Sequence, residues 1–182
     1  MTTSRNSPSP ASGGGVGERA TLRFLLQHPA HLIAFGFGSG LAPKAPGTVG
    51  TLLGLPLFWL IVAAAPDQPN QIVLIIAAFL FGIWACGRTG RALGVADHGG
   101  MVWDEIVAFA LVLMFIPALL FTPAGWLWLA LAFALFRLFD ILKPWPIRLA
   151  DTRLKGGFGV MFDDLLAAAY AIAVIKGLLW LV

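Results

Sequence analysis

The sequence predicts an all-α, polytopic helical membrane protein with about five transmembrane or membrane-embedded helices and an interfacial helix before them. Three observations predict it. Hydrophobic residues make up 59% of the 182-residue chain and charged residues only 12%, where a soluble domain carries about 25% charged. Five apolar runs, Val49–Ala65, Gln71–Cys86, Ile106–Phe121, Ala124–Leu142 and Leu165–Val182, follow one another with short polar breaks. The basic residues fall almost entirely on alternate breaks, as the positive-inside bias requires of a multi-span chain. One soluble core of this size does not hide so much apolar surface; a bundle of buried helices in a soluble oligomer is the alternative.

Residues 1–20 are rich in Ser, Pro and Gly, lack the apolar core of a signal peptide, and read as a disordered extension. Residues 21–182 read as a single helical membrane domain. Its first segment, Thr21–Phe35, mixes Leu22, Phe24, Leu25 and Leu26 with Arg23, Gln27, His28 and His31. This amphipathic composition suits a helix lying in the interface of the cytoplasmic leaflet. The runs that follow are 16 to 19 residues long, close to the roughly 20 residues that a helix needs to cross the hydrocarbon.

With the N-terminus cytoplasmic, residues 1–48, 87–105 and 143–164 face the inside. Eleven of the twelve Lys and Arg lie in or beside these segments, and only Lys176 does not. The chain is thus expected in a bacterial inner membrane, multi-pass, with its charged face cytoplasmic and its C-terminus outside. The net charge of +3 is too small to argue for nucleic acid, and a single cysteine, Cys86, excludes an intrachain disulfide. Oligomeric state is open.

The acidic residues share the asymmetry. Seven of the nine, Asp97, Asp104, Glu105, Asp140, Asp151, Asp163 and Asp164, lie in the last two inner segments or at the helix ends beside them. Ionised groups near a bilayer are costly and usually pair or serve a function. Asp104-Glu105 and Asp163-Asp164 each stand before an apolar run. Acids at a helix start satisfy free N–H groups and the positive dipole end; four carboxylates from two helix ends also make a plausible cage for a hard cation such as Mg²⁺. Both readings stand. No Cys/His set for zinc is present, and His98 alone is weak. Arg137, Asp140 and Lys143 share one helix face by their i, i+3, i+6 spacing, and an Arg and a Lys beside carboxylates suit a doubly charged phosphate. Pro144 and Pro146 stop that helix before Arg148 and Asp151. Two Gly-rich stretches, Gly36–Thr48 and Gly156–Gly159, lack the Gly-Lys-Ser/Thr of a Walker A loop; Lys44 and Thr48 of the first are within reach of a phosphate.

Four blocks, Phe37–Thr48, Asp97–Glu105, Phe136–Arg148 and Gly156–Asp164, resemble in content and order the signature blocks of the phosphatidylglycerophosphatase A family. The likeness runs from about His28 to the C-terminus and leaves the N-terminal extension outside. It implies an all-helical fold and Mg²⁺-dependent removal of the terminal phosphate of phosphatidylglycerophosphate, giving phosphatidylglycerol and phosphate. The family's carboxylate blocks map onto Asp97, Asp104, Glu105, Asp140, Asp163 and Asp164, and its basic positions onto Arg137, Lys143 and Arg148.

Combining both lines, Asp104, Glu105, Asp163, Asp164 and Asp97 are expected to hold Mg²⁺. Asp104, Glu105, Asp140 and Arg137 are expected to be catalytic, and Lys44, Thr48, Lys143 and Arg148 to bind substrate. The nucleophile, water or an Asp, is left open. Two other functions fit less well: a phosphatase acting on another lipid phosphate or a polyprenyl diphosphate, and a small ion-coupled transporter. The latter predicts charges at mid-span, whereas here they cluster at the inner ends.

Overall fold

The structure, a computed structural model, describes residues 20–181; residues 1–19 of the expected extension lie outside the described residues. Nine α-helices are present among them, with no strand: α1 (Leu22–Leu25), α2 (Pro29–Ala34), α3 (Pro46–Ala64), α4 (Gln68–Leu93), α5 (Trp103–Met114), α6 (Pro117–Leu120), α7 (Gly125–Leu142), α8 (Ile147–Arg153) and α9 (Gly156–Leu181). A 3₁₀ segment, Gly36–Leu41, joins α2 to α3.

Four helices, α3, α4, α7 and α9, are long and apolar enough to cross a membrane. They turn large apolar side chains outward, among them Leu52 and Leu60 on α3, Leu80 on α4, Leu127 on α7 and Leu178 on α9. Exposed apolar surface on this scale belongs in lipid.

The third predicted run behaves differently. Its helix α5 has 12 residues, about 18 Å of rise against about 30 Å of hydrocarbon. Ten of those residues are buried, because α3, α4, α7 and α9 all pack around it. It is therefore membrane-embedded, screened from lipid by the four spans. Pro117 explains the break: it lacks an N–H and disfavours the helical conformation at Ile116, whose φ/ψ of −129°/28° leaves the helical region. The short α6 completes the crossing. Ile116 and Leu119 line the same cavity as Val62, Pro66 and Lys176, so the chain still reaches the opposite end before α7 returns.

The expected interfacial segment forms α1 and α2. Leu22 and Leu26 remain exposed, as suits an interface, but Leu25, Ala30, Ala34 and Phe35 are buried. α2 is anchored on α4 by a 3.0 Å hydrogen bond between His31 Nδ1 and Thr89 Oγ1. Helix ends follow their local chemistry. Asp67 Oδ1 accepts from the Asn70 N–H at 3.0 Å to start α4, and Gly94, at φ +69°, ends it.

Close packing in the bundle rests on small residues, as is general in membranes. Gly47, Gly50 and Gly54 lie along the α3 face that meets α5. A Cβ at Gly50 would stand 2.5 Å from Val102 Cβ, and one at Gly54 2.8 Å from the Ile106 carbonyl.

Candidate active site

The start of α5, the first two turns of α9 and the C-terminal end of α7, with α8, bring the charged residues together. At the base of α7, Arg137 Nη1 donates to Glu105 Oε1 at 2.9 Å and to Asp140 Oδ2 at 2.5 Å. Both partners are largely buried. The same nitrogen stands 3.5 Å from Thr51 Oγ1. Thr51 is fully buried on α3 and donates in turn to the Gly47 carbonyl at 2.8 Å. The Glu105 carboxylate lies directly against α3, since a Cβ at Gly47 would collide with its Oε1.

A second cluster forms around Lys143. Its Nζ donates to Asp151 Oδ1 at 2.7 Å and to Asp163 Oδ2 at 2.6 Å. Lys143 ends α7 in the left-handed region at φ +42°, a conformation that costs a non-glycine residue about 1–2 kcal/mol. The turn directs its side chain toward α8 and α9. Burial alone would lower the pKa of this ammonium, but the hydrogen bonds to Asp151 and Asp163 outweigh it and the net shift is upward. Lys143 is thus a fixed positive charge. Burial raises the Asp97 carboxyl, with Lys143 opposing and Asp151 adding; its open side chain lets solvent mute the effect.

Between the clusters sit Asp104 and Asp164, both buried. Asp104 has Glu105, Asp97, Asp163 and Asp164 among its charged neighbours, and Asp164 has Asp140, Glu105 and Asp163 besides. Four carboxylate oxygens here, Asp104 Oδ1, Glu105 Oε2, Asp163 Oδ1 and Asp164 Oδ2, are buried with no hydrogen-bond partner. An unsatisfied buried polar atom costs about 1–3 kcal/mol, and more when charged. A polar cleft of about 210 Å³ opens beside them, lined in part by Asp97, Asp151, Lys155 and Asp163.

Helix capping does not account for Asp163 and Asp164. α9 begins at Gly156, so Asp163 and Asp164 lie two turns inside the helix, beyond the four free N–H groups. This corrects the expectation that the pair opens its helix. At α5, the cap position is Val102, which offers no side-chain hydrogen bond, and an oxygen of each acid there remains unpartnered.

Not every expected site residue joins the cluster. Lys44 and Arg148 are exposed, and neither side chain pairs with another among the described residues. Thr48 is half-buried on the first turn of α3, near the site only through its helix. Thr51 and Asp151 are the residues that sequence reasoning missed as site members. Thr51 was readable as the i+4 neighbour of Gly47 on the glycine face of α3. Asp151 follows Arg148 at i+3 in the sequence, but α8 leaves Arg148 exposed and gives Asp151 to Lys143.

Among the described residues, no three or more His, Cys, Asp or Glu side chains converge tightly enough to form a ready-made metal cage. The donor chemistry nonetheless fits a hard divalent cation. The donors are all oxygen, four of them are orphaned, and seven carboxylates surround two paired cations. Such a site repels a phosphate unless a cation offsets its charge.

The family model described as phosphatidylglycerophosphatase A matches residues 32–179. The chain is 49% identical over 150 residues to a Haemophilus influenzae protein named phosphatidylglycerophosphatase A, covering 82% of this chain and 88% of the relative. It is 38% identical over 156 residues to the Escherichia coli protein of that name, covering 86% and 87%. A Bacteroides thetaiotaomicron relative, 37% identical and covering 83% and 94%, carries the name "Putative phosphatidylinositol-3-phosphatase". No solved structure matches the chain.

Proposed function

Since the chain belongs to the phosphatidylglycerophosphatase A family, we propose that the carboxylates at the inner ends of α5 and α9 hold Mg²⁺ for its reaction. The protein is a membrane enzyme that hydrolyses the terminal phosphomonoester of phosphatidylglycerophosphate, releasing phosphatidylglycerol and phosphate. The observation that carries the metal reading is the set of four orphaned, buried oxygens on Asp104, Glu105, Asp163 and Asp164. Asp97, on the wall of the adjoining cleft, completes the donor set. When bound, Mg²⁺ would offset the charge of the phosphate oxygens and acidify a water.

The chain's own residues do the rest. Arg137 pins Glu105 against α3 and is itself held by Asp140, so the guanidinium is oriented before substrate arrives. Arg137 and Lys143 lie where charge builds on the transferred phosphoryl group, and preorganised cations there lower the barrier. Asp140 orients Arg137. Lys44 and Arg148, exposed outside the cluster, attract the anionic headgroup over distance, and Thr48, on the first turn of α3, is a further substrate contact. Water attack and attack by an Asp differ in whether a phosphorylated enzyme forms.

We place the active face on the cytoplasmic side of a bacterial inner membrane, on the distribution of eleven of twelve basic residues. A phosphate-release assay on defined lipid phosphates tests the substrate. Phosphatidylglycerophosphate should be turned over at least tenfold faster than phosphatidic acid, phosphatidylinositol 3-phosphate or a polyprenyl diphosphate, the discrimination expected when buried polar groups recognise a headgroup. Faster turnover of another member of the panel would reassign the substrate, and no release from any would favour the transporter reading.

A further inference from the structure

A lipid phosphatase must hold a phosphate at the membrane surface while the acyl chains stay in hydrocarbon. An apolar cavity of about 170 Å³ lies beside the carboxylates, and only α4, α5 and α9 line it. Its lining follows one stripe on each helix. On α5 the stripe runs from Asp104 through Ala108 to Leu111, on α4 from Phe79 through Ile76 to Ile72, and on α9 from Met161 to Leu165. α4 runs opposite to α5 and α9, so all three stripes lead away from the charged end. Asp104 stands at its inner end, with Oδ1 buried and unpartnered.

The walls and floor differ. Ala108 and Met161 are buried at 4% and 1% exposure, while Ile72 and Ile76 on the rim are 42% and 51% exposed. The groove therefore opens sideways to lipid and is floored by protein. From Asp104 to Leu111 it extends about 10 Å, most of the roughly 15 Å of one leaflet's hydrocarbon.

We propose that this groove seats an acyl chain of the lipid substrate, which enters laterally beside α4 with its headgroup at Asp104. The inference rests on the lipid phosphatase reading above. Its occupant is fixed by continuity: the groove begins at the carboxylate site, has only apolar walls beyond it, and opens to lipid along α4. The groove makes productive binding depend on chain length, and its seated chain sets the depth of the phosphate.

The test compares kcat/KM for dioleoyl and dihexanoyl phosphatidylglycerophosphate in detergent micelles, using the full chain. Ile76→Trp and Ile72→Trp fill the rim. Leu60→Trp puts the same bulk on an exposed residue of α3, a helix that does not line the groove. Each rim variant should lower the long-chain to short-chain ratio by about tenfold or more, and Leu60→Trp should leave it unchanged. Two rim variants guard against one failing to fold. An unchanged ratio in the folded rim variants would overturn the proposal and leave the groove to bulk lipid, as would an equal fall in the Leu60→Trp control. Absence of turnover on either substrate by the unaltered protein would instead overturn the phosphatase reading.

Discussion

Asp104 carries the sharpest consequence of the charge arrangement. It is buried, its charged neighbours are acids, and its Oδ1 has no partner. Asn keeps the shape of Asp and removes the charge. Asp104→Asn should therefore hold or raise metal-free stability, by up to about 1 kcal/mol, while impairing function, the trade-off typical of a strained active site. Thermal unfolding in detergent without metal reads the first effect. A loss of more than about 2 kcal/mol would mean that Asp104 holds the fold together. The residue types of the site were legible in the sequence, since acids and bases stand out in an apolar chain. Their partners were not. The i, i+3, i+6 spacing put Arg137, Asp140 and Lys143 on one face, yet the left-handed turn at Lys143 separates its cluster from that of Arg137. Nothing local to Arg137 announces that Glu105, on another helix, shares its Nη1 with Asp140.

Among the helices, α3 and α5 show how position is set. Glu105 stays in place because Gly47 and Gly50 have no side chains to displace it. Gly50→Val should force α3 from Val102 and Glu105, destabilise by about 1–3 kcal/mol as overpacking does, and lower turnover. Gly177→Ala on α9 meets nothing within 4 Å, and should stabilise by about 0.5–1 kcal/mol through helix propensity. Equal thermal shifts in both would contradict the packing account. Composition made the four long helices legible. It did not reveal that the run Ile106–Phe121 folds as a short embedded helix, because burial by protein and burial by lipid select the same residues; Pro117 was the available sign. The Gly156–Gly159 stretch, whose glycines alone suit a flexible turn, forms the first turn of α9, where a Cβ at Gly157 would collide with the Ile83 carbonyl.

On the scale of the whole molecule, charge divides the protein into a densely charged end and a nearly bare opposite one. This asymmetry was legible from loop composition alone, and the helix order preserves it even though α5 is short. Cysteine labelling in intact cells tests the orientation. An impermeant reagent should modify Gln68→Cys and spare Gly99→Cys and Arg153→Cys; the reverse pattern would put the active end outside. The carboxylate cluster is proposed to hydrolyse the lipid phosphate with a divalent cation. The most direct measurement is phosphate release from phosphatidylglycerophosphate during Mg²⁺ titration of chelator-treated protein, with Asp104→Asn alongside. The unaltered protein should be inactive without metal and recover fully with Mg²⁺. The variant should need more Mg²⁺ and turn over about a hundredfold more slowly even at saturation, as when a transition-state contact of about 3 kcal/mol is lost. Full turnover after exhaustive metal removal, or a variant that matches the unaltered protein at limiting Mg²⁺, would contradict it.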